Sequence, residues 1–319
     1  MEQSMDQAPI PFGPLRNKSR LPVVFAGLIT SSLGLAAVWW LGQSTDFNIM
    51  LFYYAYIFPL GALLVGAVCG SGYGLGSYFT GVRISKSLLL IVVLLQVAVY
   101  FVAQYLEYLY IIDQASRSQG PIDINFFEYF DYATRQFSFQ NENSNDFGDP
   151  MGAWGYAFRA LEISGFVFGG LIAPLVLKSR SYCEQCQVYM RKKPLLVLPA
   201  SVPFKKIKRK DTKAKQAFEL EMAQANESAL SQVEILRHSL EAGKVTDLLE
   251  IQKKYESEKT AISKLPVRIS ISLDYCPICS KGILVGTKIT RNKNHVQSTS
   301  LGNSSVESSA VKELLALKS

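Results

Sequence analysis

Cys183-Glu-Gln-Cys186 and Cys276-Pro-Ile-Cys279 are two Cys-x-x-Cys pairs, each preceded by a tyrosine, Tyr182 and Tyr275. Two residues between cysteines let a tight turn aim both sulfurs at one ion. Two such turns supply four thiolates, the donor set of a tetrahedral Zn²⁺ with bonds of about 2.3 Å. A full thiolate shell leaves no open position, so one Zn²⁺ held by Cys183, Cys186, Cys276 and Cys279 would be structural rather than catalytic. The same residues also admit two unrelated pairs, or redox-active thiols of the thioredoxin type. The repeated Tyr-Cys-x-x-Cys and the absence of a strand-helix-strand pattern around it count against redox chemistry.

These pairs need strands to carry the turns. Gln187 to Met190 and Gly282 to Thr290 (GILVGTKIT) read as strands leaving each turn, and Val267 to Leu273 (VRISISL) as an alternating strand entering the second. With those flanks the two pairs resemble the zinc-ribbon, or rubredoxin-like zinc-knuckle, group, over roughly 30 residues. The resemblance implies a small α+β domain, here residues 179–290, closed by one structural zinc. It departs from the simple pattern in one respect: 89 residues separate Cys186 from Cys276, where simple ribbons have about 15 to 20. The ribbon is therefore expected to be split by an insertion.

The insertion opens with Pro194 to Pro203 (PLLVLPASVP), which suits an edge strand or an extended linker. From residue 211 to 264 the composition is helical, and Leu230, Val233, Leu236 and Leu240 recur at three-to-four spacing. Gly243 marks a helix end and Thr246 a restart, so an inserted helical hairpin is expected, as a cap over the ribbon or a surface for a partner. Ahead of it lies a basic run, Lys205, Lys206, Lys208, Arg209, Lys210, Lys213 and Lys215, broken by one acid. Such a run suits contact with an anionic membrane surface or another polyanion. Nucleic acid is the disfavoured partner, because only Phe204 and Phe218 interleave the charges.

The cysteine pairs follow a very different half of the chain. Of 319 residues 49% are hydrophobic, and they concentrate in the first 180. Leu21 to Leu41, Phe47 to Val82, Ser87 to Leu106 and Ile163 to Leu177 carry no charge at all. A hydrocarbon core of roughly 30 Å needs about 20 helical residues. A four-helix polytopic membrane domain is thus expected over residues 21–178, with helices near 21–41, 49–69, 87–106 and 153–177. Arg16, Lys18 and Arg20, then Arg83 and Lys86, then Lys178, Arg180, Arg191, Lys192 and Lys193 flank alternate helix ends. The loop 107–150 instead carries eight acids against Arg117 and Arg135. That pattern places both termini in the cytoplasm of a bacterial-type inner membrane, with 107–150 outside. The outer loop has no cysteine, and the two pairs fall on the reducing side, where metal binding outranks disulfides.

Within the apolar segments, Gly66, Gly70 and Gly74, and Gly165, Gly169 and Ala173, recur every four residues and suit close packing of helices two and four. Gly70 to Gly76 is expected to end the second helix, with Cys69 a packing residue near that end. Arg159 and Glu162 are placed to pair on one helix face, and ionisable groups are otherwise almost lacking at membrane depth. Asp123 to Phe137 suits an amphipathic helix at the outer interface, Gln140 to Pro150 a flexible loop, and residues 1–20 a disordered N-terminus. Residues 291–319 read as a flexible tail, Ser- and Asn-rich, before a short helix at 310–317.

The fold class is accordingly mostly α, a four-helix polytopic membrane domain followed by a cytoplasmic α+β split zinc ribbon with an inserted helical hairpin. No nucleophile with a base, paired acids or phosphate loop is present, so the chain is not expected to be an enzyme. Its expected partners are the bilayer and a cytoplasmic protein, for which the ribbon would act as adaptor, assembly or regulatory module. The alternative is a homo-oligomeric channel or transporter subunit with the ribbon as gate or scaffold.

Overall fold

A long apolar run in a chain that must satisfy its own backbone polar groups folds most simply as a helix, which closes every hydrogen bond within the segment. The computed structural model describes residues 18–45, 48–55, 57–119, 123–138, 149–204, 211–292 and 295–316. Helix accounts for 64% of them. The chain divides into two units, residues 1–180 and 181–319.

The first unit contains α1 (Leu21–Thr45), α2 (Leu60–Thr80), α3 (Lys86–Gln119), the short α4 (Phe126–Arg135) and α5 (Gly155–Lys178). Four of these, all but α4, are long and apolar enough to cross a membrane. The second helix differs from expectation in register. It begins at Leu60, after Pro59, instead of near residue 49, and runs through Gly70–Gly76 to end at Gly81. Hydrophobicity is uniform from Phe47 to Val82 and cannot locate the start. Proline can, because it lacks the N–H that a helix interior needs. The chain before it forms a 3₁₀ turn at Ile49–Leu51, with Asn48 accepting from Met50 N–H. Gly81 adopts φ +66° and its N–H caps the Ser77 carbonyl, so one glycine with left-handed backbone stops the helix while the run before it does not.

The interior glycines serve packing. A Cβ on Gly66 or Gly70 would strike the α5 backbone at Phe166 or Gly170, and one on Gly74 would lie 2.8 Å from Ala173 Cβ. From the other side, Gly169 meets the Leu63 carbonyl, and Gly165 leaves 2.7 Å to Pro59 Cγ. Gly72 and Gly76 face Ala26 of α1 in the same manner. Helix α2 is therefore gripped on two faces, which explains a glycine run inside a helix. Cys69, expected near a helix end, lies mid-helix, fully buried, with its Sγ 3.8 Å from the Ser31 carbonyl.

Helix α3 continues well past Leu106, taking residues 107–119 that were expected in a loop. No proline or glycine interrupts those residues, and Asp113 and Arg117 pair at 2.7 Å across one turn. Helix α4 starts with a capping box, Asn125 receiving Phe127 and Glu128 N–H while Glu128 reaches back to Asn125 N–H. The helix therefore begins at Phe126, behind the Asn125 cap, within the span Asp123 to Phe137 read from the sequence. Residues 1–17 and most of Gln140 to Pro150 lie outside the described residues.

The second unit has a two-stranded hairpin, β1 (Tyr182–Cys183) with β2 (Val188–Tyr189), and a four-stranded antiparallel sheet. The sheet runs in the order β3 (Arg191–Pro199), β4 (Val267–Tyr275), β5 (Gly282–Asn292), β6 (His295–Val306). Between β3 and β4 come α6 (Thr212–Glu241), α7 (Thr246–Glu256) and α8 (Lys259–Ser263), and α9 (Ser308–Ala316) follows β6. Gly243 takes φ +77° between α6 and α7, the glycine C-terminus that the sequence implies. Ile269, Ile271 and Leu273 alternate along β4 onto the buried face, where Ala229, Val233, Leu236 and Leu240 of α6 meet them, with Leu248 and Val311.

One expectation is overturned in this unit. The described residues of 291–309 are not a flexible tail: β6 pairs with β5 from Gly282↔Val306 to Asn292↔His295. Its side chains are almost all exposed until Val306, so the strand has no apolar alternation to read. Its pairing rests on the backbone ladder at a sheet edge. Helix α9 then returns Ala310, Val311 and Leu314 to the core. Leu317, expected to close that helix, lies outside the described residues.

Candidate metal centre

Each cysteine pair sits in a tight turn between two strands. In the first, Tyr182 pairs with Tyr189 and Cys183 with Val188, and the two tyrosine rings meet edge to face at 5.1 Å. In the second, β4 enters and β5 leaves, with Cys276 N–H bonding the Lys281 carbonyl at 2.9 Å and Ser280 N–H bonding the Cys276 carbonyl at 3.1 Å. The residue after the second cysteine has positive φ in both turns, +51° at Gln187 and +57° at Ser280. Neither is glycine, so each turn holds a non-glycine residue in the sparsely populated left-handed region. Both turns hold it at the same place relative to their sulfurs.

Strand pairing brings the turns together despite their separation in sequence. The chain leaves β2 and enters β3 after a single residue, Met190, and β3 pairs with β4 in the register Arg191↔Tyr275. The start of β3 is thus locked beside the end of β4, one residue before Cys276. Ser181 Oγ donates to Asp274 Oδ2 at 2.6 Å, tying the first hairpin to β4, while Met190 N–H donates to the Ser181 carbonyl at 2.9 Å and closes the base of that hairpin.

The result is a cluster in which all four Sγ atoms lie within 4.8 Å of one another. The Cys183 and Cys279 sulfurs are 3.7 Å apart. Four sulfurs at about 2.3 Å from one tetrahedral ion would be separated by about 3.8 Å, whereas a disulfide needs about 2.05 Å. The spacing fits a shared cation and leaves every cysteine unbridged. Cys183 and Cys276 are buried, Cys186 and Cys279 partly so, and Met190, Val188 and Ile283 pack around them. Burial, with the neighbouring thiols, pushes the Cys183 and Cys186 thiols up. At Cys279 burial acts upward too, but the Lys281 backbone N–H and the facing thiols outweigh it and the thiol is lowered. A metal entering such a cluster must displace protons, and its positive charge would offset the repulsion among thiolates. Four cysteines that lie close together could hold a metal ion. Among the described residues they are the one group of metal-binding side chains gathered so tightly.

The other residues singled out from sequence fall elsewhere. Gly66, Gly70, Gly74, Gly165, Gly169 and Ala173 line the α2–α5 contact described above. Arg159 Nη1 and Glu162 Oε2 form an ion pair at 2.9 Å, both nearly inaccessible, and the guanidinium sits 5.4 Å from the Phe130 ring centre. Of the basic run, Lys205, Lys206, Lys208, Arg209 and Lys210 lie outside the described residues. Lys213 and Lys215 are exposed in the first turn of α6, where Lys215 comes to 3.9 Å from Glu219.

Sequence reasoning missed a polar face on α3. Gln96, Tyr100 and Gln104 are buried at four-residue spacing, and Glu107 continues the row by accepting from Asn48 Nδ2 at 2.8 Å. Neither amide atom of Gln96 has a hydrogen-bond partner, nor has Gln104 Oε1. The signal was available as glutamine at i and i+8 in an otherwise apolar helix, with a tyrosine between. Attention to charge alone passed over it. The chain matches no protein-family model, no curated protein and no solved structure.

Proposed function

We propose that this chain is a multi-pass protein of a bacterial-type inner membrane whose cytoplasmic unit is a split zinc ribbon, closed by one structural Zn²⁺ on Cys183, Cys186, Cys276 and Cys279. The observation that carries this reading is the cluster's sulfur spacing, 3.7 Å between Cys183 and Cys279, together with two turns that repeat the same left-handed residue. A closed tetrahedral set of four thiolates suits Zn²⁺ and also iron; zinc is chosen on the resemblance of the two turns to the zinc ribbon. Orientation rests on the basic residues at alternate helix ends, which put both termini in the cytoplasm. Within the unit, α6 and α7 act as the inserted hairpin. Ser239 bonds Asp247 and Gln232 bonds Tyr255, contacts eight and 23 residues apart that widen from the turn. The ribbon serves as an adaptor or assembly module for a soluble partner, with the β1–β2 hairpin that the metal would hold in place as the presented surface.

The test is elemental analysis of the purified full-length chain, expected to give about one zinc per chain, combined with affinity capture from the native membrane. A defined partner should be retained by the wild type and lost from Cys276→Ser, Cys279→Ser. Zinc-free protein with ordered turns would refute the metal reading, and capture indifferent to the cysteines would refute the adaptor reading. A second reading, a channel or transporter subunit, is favoured by the buried glutamines of α3, since polar groups at membrane depth commonly line a path. It predicts conductance or flux from the protein reconstituted alone.

A further inference from the structure

The first unit holds a cavity of about 280 Å³ between α1, α3 and the Ile49–Leu51 turn. Its volume lies near the lower end of small-molecule sites, which run from roughly 300 to 1,000 Å³. Leu35, Val38, Trp39 and Met50 line it on one side, Gln104 and Glu107 on another. The polar end includes two acceptors, Gln104 Oε1 and the Glu107 carboxylate. Gln104 is 2% exposed and its Oε1 has no hydrogen-bond partner, while the Glu107 carboxylate is held by Asn48. A buried acceptor left unsatisfied costs free energy until a donor reaches it.

Charge points the same way. Arg159 and Glu162 pair with each other, and Glu107 lies within electrostatic reach of that pair. Arg159 is committed to Glu162, and among the described residues Glu107 has no ion-pair partner of its own, being held instead by the neutral Asn48 amide. A cationic donor beside Glu107 answers both deficits at once, and the Trp39 indole is a surface suited to an ammonium group.

We propose that this cavity binds an amine-headed amphiphile, its ammonium between Gln104 and Glu107 and its chain along the Leu35 and Val38 wall. The amine can come from a free amphiphile or from a lipid headgroup, and the chemistry recognised is the same. The site is independent of the cysteine cluster, which belongs to the other unit.

The experiment uses the full-length chain in neutral detergent with Trp40→Phe and Trp154→Phe, both exposed positions, so that Trp39 alone reports. Terminally brominated dodecylamine, dodecanol and dodecyl sulfate are titrated and Trp39 quenching is followed. The amine should half-saturate at a concentration at least about tenfold lower than the other two. Glu107→Gln, whose amide oxygen can still accept from Asn48, should erase that preference. Gly42→Leu is the second variant. Gly42 lines the cavity, and a Cβ there meets nothing within 4 Å, so the added side chain fills space without strain. It should abolish amine-selective quenching even if Glu107→Gln fails to fold. Chain-brominated phosphatidylethanolamine against phosphatidylglycerol in nanodiscs separates a lipid source from a free one. Equal quenching by all three heads, or a preference that persists in either folded variant, would overturn the proposal.

Discussion

Removing the ion proposed for the cysteine cluster should disorder residues 181–190 and leave the four-stranded sheet intact. Ordering these ten residues costs about 10–20 kcal/mol of backbone entropy. The burial available locally comes from Cys183, Tyr189 and Met190, at about 1.5–3 kcal/mol each, or about 5–9 kcal/mol together. The β1–β2 ladder adds two residue pairs, too few to stand alone. The shortfall, roughly 5–11 kcal/mol, is of the size that a structural Zn²⁺ supplies, about 10–16 kcal/mol. The sheet differs because 17 buried residues form its own core without any cysteine, which suffices to hold β3 to β6 together. Hydrogen exchange read by mass spectrometry on the full chain in detergent, with and without chelator, measures this directly. Amides of Val188 to Met190 should lose protection while those of Ile269, Ile271 and Leu273 keep theirs, and Cys276→Ser should reproduce the pattern. Unchanged protection at Val188 to Met190 in protein shown to be metal-free would refute the reasoning, as would loss of protection throughout β4.

Three further outcomes are expected. Metal retention should fall on acidification, because the Cys183 and Cys186 thiols are held up by burial and each must lose its proton to ligate. Raised thiols favour the protonated form over more of the pH range, so competition strengthens as pH falls, and a metal-release titration should lose affinity by about tenfold or more per pH unit. Gly70→Leu should disrupt the α2–α5 contact, since a Cβ there already strikes Gly170 backbone. A cost of about 1–3 kcal/mol or more should appear as a lower melting temperature in detergent, while Gly42→Leu should melt near wild type. Arg159→Ala should destabilise by about 3–5 kcal/mol by stranding the Glu162 carboxylate; adding Glu162→Gln should recover most of the loss, as differential scanning fluorimetry would show.

The legible parts of the chain are those where local chemistry and tertiary role coincide. Uncharged runs placed the four long helices, and the Cys-x-x-Cys spacing named the four sulfurs that lie together. Alternation in VRISISL marked β4 because Ile269, Ile271 and Leu273 face one core. Where burial is uniform or absent, the same reasoning loses its grip. Residues 47–82 are apolar throughout, so composition could not say that the helix waits for Pro59. Strand β6 is mostly polar and exposed before Val306, so its place at the edge of the sheet depends on β5 rather than on its own pattern. The buried glutamines of α3 escaped for a related reason: a neutral amide barely lowers the hydropathy of a helix, yet burying it without a partner is costly.

The separation between the cysteine pairs also takes on a different meaning once the register is known. Arg191↔Tyr275 is the first rung of the β3–β4 ladder, so the residues between the pairs leave and return along neighbouring strands. What lies between is no appendage: Ala229, Val233, Leu236 and Leu240 of α6 make one wall of the core on which β4 packs. The sheet therefore positions the second turn whether or not a metal binds, whereas the first turn hangs from Met190 and the Ser181–Asp274 bond. A metal would clasp the β1–β2 hairpin to a standing sheet. It follows that any partner whose binding depends on the cysteines should contact the β1–β2 hairpin, while one that docks on α6 should tolerate their loss. Partner capture by the Cys276→Ser chain would separate the two surfaces.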